Sequence, residues 1–496
     1  MMTDSPRERW TRRRALGVGG AALGGGLAAS LWPASASAQA ARAAGATGAA
    51  TGAAGTADAD PWKTADRIRR RVRAPRFPHH DVKVTDFGAV GDGVTDCSRA
   101  FGAAIAAISR RGGGRVVVPP GLFLTGPIRL RSRVNLHVAA GATIAFSTDT
   151  TKYLPVVFTR WEGIELFNYS PLVYAYGARD IAITGAGTLD GQGGNTAWWP
   201  WSGKPEFGWQ TGAPNQVPDR TALQAMGEAG TPVSERVFGG GHFLRPNMIQ
   251  PVRCRNVLIE GVTITNSPMW HIYPLLSKSV LVRNVTVVGH GPNNDGCNPE
   301  SCTDVVITGC SFDTGDDCIA IKAGRNADGR RVNVPSQNIL IEDCDFKDGH
   351  GGVTMGSEMT GGVRNVYARD LRMSSPNLNT ALRMKTNSLR GGFIHDVYIR
   401  DTEVGVLAVS AFQIDFYYED GPGHGFNPSV GGVHVENLHV DTAQQVFDLR
   451  GYSEDPITDI TLAHCAFDHV TTVGRTEEVE GLVLTDVTVN GEPIGG

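Results

Sequence analysis

A nine-residue pattern recurs along this chain and constrains its fold more than any other feature. Each copy has a small or polar residue, an aliphatic, any residue, an aliphatic, two mostly polar positions, a small apolar residue, any residue and an apolar residue. Copies begin at Asp180, Asn256, Ser279, Asp304, Asn338, Asn365, Asp396, Gly432, Asp459 and Gly481. From Asn256 onward they begin 22 to 36 residues apart, and such a period with variable insertions is typical of a solenoid.

The residue types in each copy predict β-strands. Val and Ile recur at a period of two, and no copy has helical periodicity. Stacked strands of this kind form a parallel β-helix, an all-β fold in which inward aliphatic side chains make ladders along the axis. A β-sandwich is the alternative, and it is disfavoured because short hairpin turns between paired strands are not the rule here.

The open end of a solenoid has to be covered, and one segment is suited to this task. Phe101, Ile105 and Ile108 recur at helical spacing. Asp96 or Ser98 can cap the start of such a helix, and the glycines at 112–114 can end it. We therefore expect an N-terminal capping helix.

The first 40 residues have the pattern of a twin-arginine export signal. Thr11-Arg12-Arg13-Arg14-Ala15-Leu16 precedes a weakly apolar run, and Ala36-Ser37-Ala38-Gln39-Ala40 offers cleavage sites. An Arg-rich tail or a membrane anchor is the alternative, but the apolar run is short and broken by Gly, so we expect no stable membrane anchor. The predicted organisation is a signal peptide at 1–40, an Ala/Gly/Thr-rich linker at 41–60 and a β-helix catalytic domain at 61–496, exported to the periplasm or beyond.

The charge balance limits the kinds of partner. The leader holds five Arg and two acidic residues, so its removal takes the formal net charge from −4 to about −7. A mildly acidic protein offers no basic groove, so we expect no nucleic-acid partner. Cations that bind an acidic substrate must therefore be placed locally.

The eight cysteines are best interpreted as members of the buried ladders. Cys310, Cys344 and Cys465 share one repeat position with Val262, Val285, Leu371 and Leu438. A buried free Cys behaves as a small hydrophobe. A zinc cluster is not expected from the spacing of Cys297, Cys302, Cys310 and Cys318, whereas one disulfide pair stays open as an alternative.

Four short patches carry the groups that can do chemistry. They are Asn293-Asn294-Asp295, Gly315-Asp316-Asp317, Gly349-His350-Gly351 and Arg383-Met384-Lys385. On a parallel β-helix, residues one coil apart stack side by side about 4.8 Å apart. The intervals of 21, 34 and 33 residues between the patches fit one coil with or without a loop, so all four can line one cleft.

The set has the chemistry needed to hydrolyse an acidic sugar polymer. Glycoside hydrolysis uses one carboxylic acid and one further carboxylate, and crowding three Asp raises the proton affinity of at least one of them. His350 can hold the acid's proton by hydrogen bonding. Arg383 and Lys385 alternate along one strand, point to the same face and can bind a carboxylate.

Each patch alone also has a structural interpretation. Asp316 and Asp317 could form a turn or, with Asp313, part of a calcium loop. His350 could be structural, and Arg383 and Lys385 could belong to a solvated strand face. Their joint presence at coil spacing favours the functional interpretation.

Residues 192–250 fit no coil. This insertion contains Trp198, Trp199, Trp201 and Trp209 among many Gly and Pro. It is either a wall beside the cleft, with aromatic rings that stack on sugars, or a packing flap.

Taken together, these residues resemble the polygalacturonase family, glycoside hydrolase family 28, whose motifs are N-T-D, G-D-D, G-H-G and R-x-K. The similarity covers nearly all of residues 80–496 and includes Asp86-Phe87-Gly88-Ala89, Gly315 to Lys322, Gly349 to Gly352 and Gly356 to Met359. The resemblance implies a right-handed, single-stranded parallel β-helix of the pectin-lyase-like kind. It also implies inverting hydrolysis of α-1,4 bonds between galacturonic acid residues, with no metal or cofactor.

The resemblance also implies roles for individual residues. Asp316 would be the general acid, Asp295 and Asp317 would activate water, and His350 would assist the acid. The substrate-binding residues would be Asn293, Arg383, Lys385 and one Tyr of the Tyr417-Tyr418 pair, for which we choose Tyr418. Two positions depart from the family pattern: Asn294 stands where Thr is common, and Asn298 stands where a further Asp is often seen.

The expected function is that of an exported, monomeric hydrolase of polygalacturonate or pectin. Residues 312–325 and 352–362 are most similar to bacterial exo-acting members, so exo action is expected from the resemblance. The alternatives are a hydrolase of the same family that acts on rhamnogalacturonan or xylogalacturonan, a calcium-dependent pectate lyase on the same architecture, and a non-catalytic carbohydrate-binding solenoid.

Overall fold

Strands that stack in parallel from coil to coil make up most of the protein. The computed structural model describes residues 60–495, so the predicted signal peptide and all but the last residue of the predicted linker lie outside the described residues. Within this range 26 strands form one sheet, and two further sheets have three strands each. Nearly all pairings are parallel, as the repeat predicts, and the fold is a right-handed parallel β-helix.

The helices are short and few. The α-helices are α1 (Pro61–Arg71), α2 (Ser98–Arg110), α3 (Val217–Glu228) and α4 (Asn326–Val332), and the 3-10 helices are Val84–Phe87, Thr150–Tyr153, Trp199–Ser202, Pro205–Phe207 and Val233–Glu235. The strands are β1 (Asp81–Lys83), β2 (Asp92–Asp96), β3 (Gly114–Val118), β4 (Gly121–Thr125), β5 (Ile128–Arg129), β6 (Val134–Val138), β7 (Ala142–Phe146), β8 (Val157–Trp161), β9 (Ile164–Asn168), β10 (Val173–Tyr176), β11 (Arg179–Gly185), β12 (Thr188–Asp190), β13 (Val237–Phe238), β14 (Ile249–Val252), β15 (Arg255–Glu260), β16 (Thr263–Thr265), β17 (Lys278–Arg283), β18 (Thr286–Gly289), β19 (Thr303–Thr308), β20 (Ser311–Thr314), β21 (Ile319–Ile321), β22 (Ser336–Glu342), β23 (Asp345–Asp348), β24 (Gly351–Gly356), β25 (Val363–Met373), β26 (Thr380–Lys385), β27 (Phe393–Val406), β28 (Ser410–Asp415), β29 (Ser429–Arg450), β30 (Ile457–Glu477), β31 (Val479–Val489) and β32 (Glu492–Pro493).

The second position of the repeat forms one continuous ladder through the core. Successive coils pair in register at Ile181, Val257, Val280, Val305, Ile339, Val366, Val397, Val433, Ile460 and Leu482. All but the last are buried. A slip of one residue would turn these aliphatics outward, so their burial fixes the register of the stack.

The first position of the repeat is small or polar because the backbone there is left-handed. Every copy begins with a residue of positive φ, from 52° at Asp459 to 70° at Gly481. Gly, Asn and Asp tolerate this conformation better than other residues. The Asn338 amide also donates to the Asp304 carboxylate at 3.0 Å, so the corner is stabilised between coils.

A second left-handed corner follows the first by five residues in every copy. It is occupied by Gly185, Gly261, Asn284, Gly309, Asp343, Asp370, Asp401, Asn437, His464 and Asp486. The residues between these two corners are extended in each copy, and in the later coils strands such as β29 continue through both corners.

The predicted capping helix is present as α2, with its start shifted. It buries Phe101, Ile105 and Ile108 against the first coils, as the spacing predicts. The N-cap position is Cys97 instead of Asp96 or Ser98, although the Asp96 carboxylate accepts the Ser98 N–H at 2.9 Å.

Helix α1 was not predicted, because its sequence precedes the repeats and was assigned to the β-helix. Asp60 caps it through the Trp62 N–H at 2.9 Å. Trp62, Ala65 and Ile68 pack on the outward third position of the early coils, where aliphatics stand at Ala182, Leu258, Leu281, Val306 and Leu340. Aliphatics at this outward position were the signal that something covers the sheet.

All eight cysteines are buried free thiols, as the ladder interpretation predicts, so the alternative of one disulfide is not realised.

The tryptophans of the insertion mostly serve packing. Trp198 is buried and makes an edge contact with Tyr153, and the Trp199 indole N–H donates to the Ser267 carbonyl at 2.9 Å. Between residues 60 and 495 no helix is both long and apolar enough to cross a bilayer.

The left-handed corners can be tested at Asn338. Its φ is 58°, and Asn338→Val puts a β-branched residue there. We expect the free energy of unfolding to fall by about 2 kcal/mol or more, because strain adds to the lost hydrogen bond with Asp304. Asn338→Gly loses the same bond without the strain and is the matched control. Equal losses in the two variants, measured by urea unfolding, would contradict the role of backbone conformation.

Candidate active site

Backbone pairing between successive coils brings the predicted carboxylates together. The Gly296 N–H donates to the Asp317 carbonyl at 3.0 Å, so Asp295 lies beside the Asp316-Asp317 pair of the next coil. The His350 N–H donates to the Asp316 carbonyl at 3.1 Å. Three successive coils therefore place the three carboxylates and the imidazole side by side, as the spacing predicts.

The next coil supplies the predicted cations. Strand β24 pairs with β26 so that Thr354 lies opposite Arg383 and Gly356 lies opposite Lys385. The side chains of Arg383 and Lys385 both contact the Asp317 carboxylate. The four patches thus meet in one place.

Asp317 is the most enclosed carboxylate of the site. Its side chain is 1% exposed, and it accepts hydrogen bonds from Lys385 Nζ at 2.6 Å, Thr354 Oγ1 at 3.1 Å and Arg383 Nη1 at 3.4 Å. Burial raises the pKa of Asp317, but the charges of Lys385 and Arg383 outweigh it and lower the pKa below its ordinary value. Asp317 is therefore an ionised group held by two internal cations.

Asp316 is hydrogen-bonded to His350. His350 Nδ1 lies 3.0 Å from Asp316 Oδ1. Burial alone would raise the pKa of Asp316, but the hydrogen bond and charge of His350 lower it, and the same bond raises the pKa of His350. The imidazole is half exposed, so this pair faces the opening of the site.

Asp295 behaves differently from its two neighbours. Its Oδ2 accepts a hydrogen bond from Asn298 Nδ2 at 2.8 Å and lies 3.9 Å from Lys322 Nζ. Burial first, and then the charge of Asp316, raise the pKa of Asp295 well above its ordinary value. Crowding therefore raises one pKa, as expected, but at Asp295 and not at Asp316, to which the resemblance assigns the acid role.

The remaining predicted residues fall on two sides of this cluster. Asn293 Oδ1 accepts a hydrogen bond from the buried Arg245 Nη2 at 2.7 Å. The Tyr418 ring lies 5.5 Å from Lys385 Nζ. Tyr417 instead packs under Arg450, whose guanidinium carbon is 4.2 Å from its ring centroid, so Tyr418 is the tyrosine of the pair that lies beside Lys385.

Lys322 and Glu358 belong to the site although they were not assigned a role from the sequence. Lys322 Nζ donates to Glu358 Oε2 at 2.8 Å and to the Gly356 carbonyl at 3.2 Å. Burial would raise the pKa of Glu358, but the charges of Lys322 and Arg325 lower it. In the sequence, the position of Lys322 directly after the apolar run Ile319–Ile321 indicates that its charge is buried.

A charged wall continues from Glu358, and we define it as Glu162, Arg220, Arg325, Glu358 and Glu419. Arg325 lies 3.7 Å from Glu358 and 3.3 Å from Glu419, and Arg220 Nε donates to Glu162 at 2.6 Å. These residues come from the β8–β9 turn, α3, the start of α4 and the segments after β24 and β28. Ion pairs thereby connect five segments that lie outside the stacked strands, next to Lys322.

Arg383 is oriented by a polar column along the coils. Arg383 Nε donates to Gln413 Oε1 at 2.8 Å, and Gln413 Nε2 donates to Asp448 Oδ2 at 2.8 Å. Arg475 Nε donates to the same carboxylate at 2.6 Å. Arg383 Nη2 takes no acceptor from residues 60–495 and is available for a substrate carboxylate.

The calcium-loop alternative groups Asp313 with Asp316 and Asp317, whereas in the structure Asp313 contacts His290. Asp313 pairs with His290 at 2.7 Å and lies in a group with Asp348 whose ligand atoms are within 4.8 Å of one another. Asp317 is instead occupied by protein donors. A cavity of about 460 Å³ lies between the His290 group and His350.

A crowded carboxylate cluster with local cations, set in the side of a parallel β-helix, has the groups that a carbohydrate-active hydrolase needs. Residues 241–477 match the family model "Glycosyl hydrolases family 28", and residues 82–152 match "Rhamnogalacturonase A/epimerase, pectate lyase-like".

Proteins of known structure or function that resemble this chain are also polygalacturonases. A solved structure of a hyperthermoactive exopolygalacturonase from Thermotoga maritima is 47% identical, covers 87% of this chain and 96% of its own, and has a TM-score of 0.84. A probable polygalacturonase of Vitis vinifera is 28% identical over 78% of this chain and 74% of that protein. An exo-poly-alpha-D-galacturonosidase of Dickeya chrysanthemi is 27% identical over 69% of this chain and 58% of that protein. The chain belongs to glycoside hydrolase family 28, the polygalacturonase family, and is a glycoside hydrolase with the pectin-lyase-like fold.

The Asp316–His350 pair predicts one limb of the pH profile. Because the pKa of His350 is raised above 6.5, its proton is retained below that raised pKa and is lost as the pH rises through it. We expect kcat/KM to fall on the alkaline side with an apparent pKa above 6.5. His350→Asn should remove this limb and lower kcat/KM about 100-fold.

His395→Asn is the matched control, because His395 bonds Ser429 on the outer surface of the solenoid. Its pH profile should match that of the wild type. An alkaline limb that survives in His350→Asn would exclude His350 as its source.

Proposed function

We propose that this chain is an exported polygalacturonase that cleaves α-1,4 bonds between galacturonic acid residues, inverts the anomeric carbon and acts from a chain end. The observation that carries the proposal is the grouping of Asp295, Asp316 and Asp317 with Arg383 and Lys385. Carboxylates supply the acid and the base, and the cations suit a substrate that bears a carboxylate on every sugar.

Asp316 and His350 would supply the proton for the leaving oxygen. The pair is hydrogen-bonded at 3.0 Å and holds one proton between two groups whose pKa values are shifted in opposite directions. Asp316 passes this proton to the glycosidic oxygen as the bond to the anomeric carbon breaks. The half-exposed His350 then regains a proton from solvent.

Asp295 and Asp317 would activate the attacking water. Asp317 is kept ionised by Lys385 and Arg383 and orients the water. The water oxygen bonds the anomeric carbon from the face opposite the leaving group, and its proton goes to the ionised Asp295, which inverts the configuration. Because the pKa of Asp295 is raised, this step requires a pH above that raised value.

Exo action is supported by the relatives named as exo-acting and by the charged wall. Ion pairs in the wall tie five parts of the chain together beside Lys322, which itself lies 3.9 Å from Asp295. A barrier at this point would leave room for the end of a polymer chain and not for its middle.

Export is supported by the sequence alone. We propose a twin-arginine signal peptide at 1–40 and a linker at 41–60, followed by the catalytic domain at 61–496, which functions in the periplasm or outside the cell.

The acid role is tested with Asp316→Asn on polygalacturonate. We expect kcat to fall about 1,000-fold with a small change in KM, because the leaving oxygen no longer receives a proton. Asp313→Asn is the matched control, since Asp313 is nearby but pairs with His290. Near-normal hydrolysis by Asp316→Asn would show that another group is the acid.

The reaction type and mode are tested by chromatography of early products. Exo hydrolysis predicts that monomer or dimer accumulates from the start, without ultraviolet absorbance and without an effect of a chelator. A ladder of intermediate lengths would indicate endo action, and an unsaturated product would indicate a lyase. A panel with rhamnogalacturonan and xylogalacturonan should show faster cleavage of polygalacturonate.

A further inference from the structure

Asn298 occupies an unusual position directly beside the catalytic cluster. It is fully buried, and its backbone N–H donates to the Ile272 carbonyl at 2.7 Å. Its side-chain amide donates to Asp295 Oδ2 at 2.8 Å. Its own Oδ1 accepts no hydrogen bond from residues 60–495.

A buried amide with an unpaired carbonyl is costly, so this residue is not explained by packing alone. An unsatisfied buried acceptor destabilises a fold by about 1–3 kcal/mol. An apolar side chain of similar size would avoid that loss but would leave Asp295 without its donor. Asn298 keeps an N–H donor for Asp295 although its own side-chain oxygen is left without a partner among residues 60–495. The contribution of Asn298 is therefore its hydrogen bond to Asp295.

The two oxygens of Asp295 have different surroundings. Oδ2 faces the Asn298 amide and, at 3.9 Å, the Lys322 ammonium. Oδ1 accepts no hydrogen bond from residues 60–495 and keeps some exposure to solvent, so it is the oxygen that a water can reach.

Lys322 is held in place to act on the same oxygen. Two of its three N–H bonds point to Glu358 Oε2 and to the Gly356 carbonyl, at 2.8 and 3.2 Å. Its ammonium also lies 4.7 Å from the Trp270 ring centroid. These contacts fix the ammonium on the Oδ2 side of Asp295.

We propose that Asn298, with Lys322 behind it, is a positioning residue that anchors Asp295 through Oδ2 and reserves Oδ1 for the attacking water. The inference rests on the proposed function, in which Asp295 accepts a proton. As the water oxygen bonds the anomeric carbon, its proton is transferred to Asp295 Oδ1, and the leaving oxygen takes the proton of Asp316. The donors on Oδ2 stabilise the ionised form of Asp295 before that step.

An amide at position 298 supplies a donor that a carboxylate would not. An ionised carboxylate at position 298 could not donate to Asp295 and would add a fourth negative charge to the cluster. Asp295 is already faced by charged or titratable groups from every element around it, namely Asp316, Asp317, Lys322, Arg245 and His271.

The test is the acid limb of kcat/KM against pH for Asn298→Ala and Asn298→Asp. Loss of the donor in Asn298→Ala should move this limb to higher pH by about one to two units, because a hydrogen bond to an ionised group is lost. Asn298→Asp should move it further, because it adds a charge. In both variants kcat at high pH should recover to within about tenfold of the wild type.

Asn437→Asp is the matched control. Asn437 donates to the Asp401 carboxylate at 3.0 Å on the exposed surface, so the same chemical change is made away from the site. Its pH profile should not move.

The outcomes separate two kinds of failure. Variants that fold, by thermal melting, and lose activity equally at every pH would show a merely structural role and overturn the inference. If Asn298→Asp does not fold, the limb of Asn298→Ala decides the matter, and Lys322→Gln should shift it in the same direction. A wild-type protein that does not hydrolyse polygalacturonate would instead refute the proposed function.

Discussion

The in-register stacking of coils sets the positions of the core ladder and of the active-site residues. Each copy of the repeat has two left-handed residues five positions apart, and its aliphatic second position pairs with the same position of the neighbouring coil. Once this register is set, residues in different coils have fixed neighbours. Insertions such as the one that contains α4 can lie between coils without disturbing this register, because a longer loop adds little to the entropic cost of closing it.

The active site uses this register to crowd like charges. Three carboxylates in such proximity repel one another, and each one has its own stabilising partners: Lys385 and Arg383 for Asp317, His350 for Asp316, and Asn298 with Lys322 for Asp295. The mildly acidic protein therefore handles an acidic substrate with local cations and not with a basic surface. The opposite pKa shifts of Asp295 and Asp316 follow from these different partners.

The repeat and the spacing of the patches were sufficient to predict the β-helix, the buried cysteines and the convergence of Asp295, Asp316, His350 and Arg383. Helix α1 was missed because its sequence precedes the repeats, although the outward aliphatics at the third position of the early copies were a signal that this face is covered. The pairing of Lys385 with Asp317, and of Lys322 with Glu358, could not be predicted, since neighbours across the coil depend on the lengths of loops such as residues 323–335. The sequence shows that Asn298 departs from the family pattern, but its role could be inferred only from its contact with Asp295 in the structure.

In the proposed reaction two carboxylates act in one step from opposite faces of the sugar ring, one as acid and one as base. Proton NMR of a fresh polygalacturonate digest tests this claim most directly, because the anomeric signal of the new reducing end appears before mutarotation. We expect the β anomer to form first from the α-linked substrate. First formation of the α anomer would indicate a covalent intermediate and would exclude the one-step reaction.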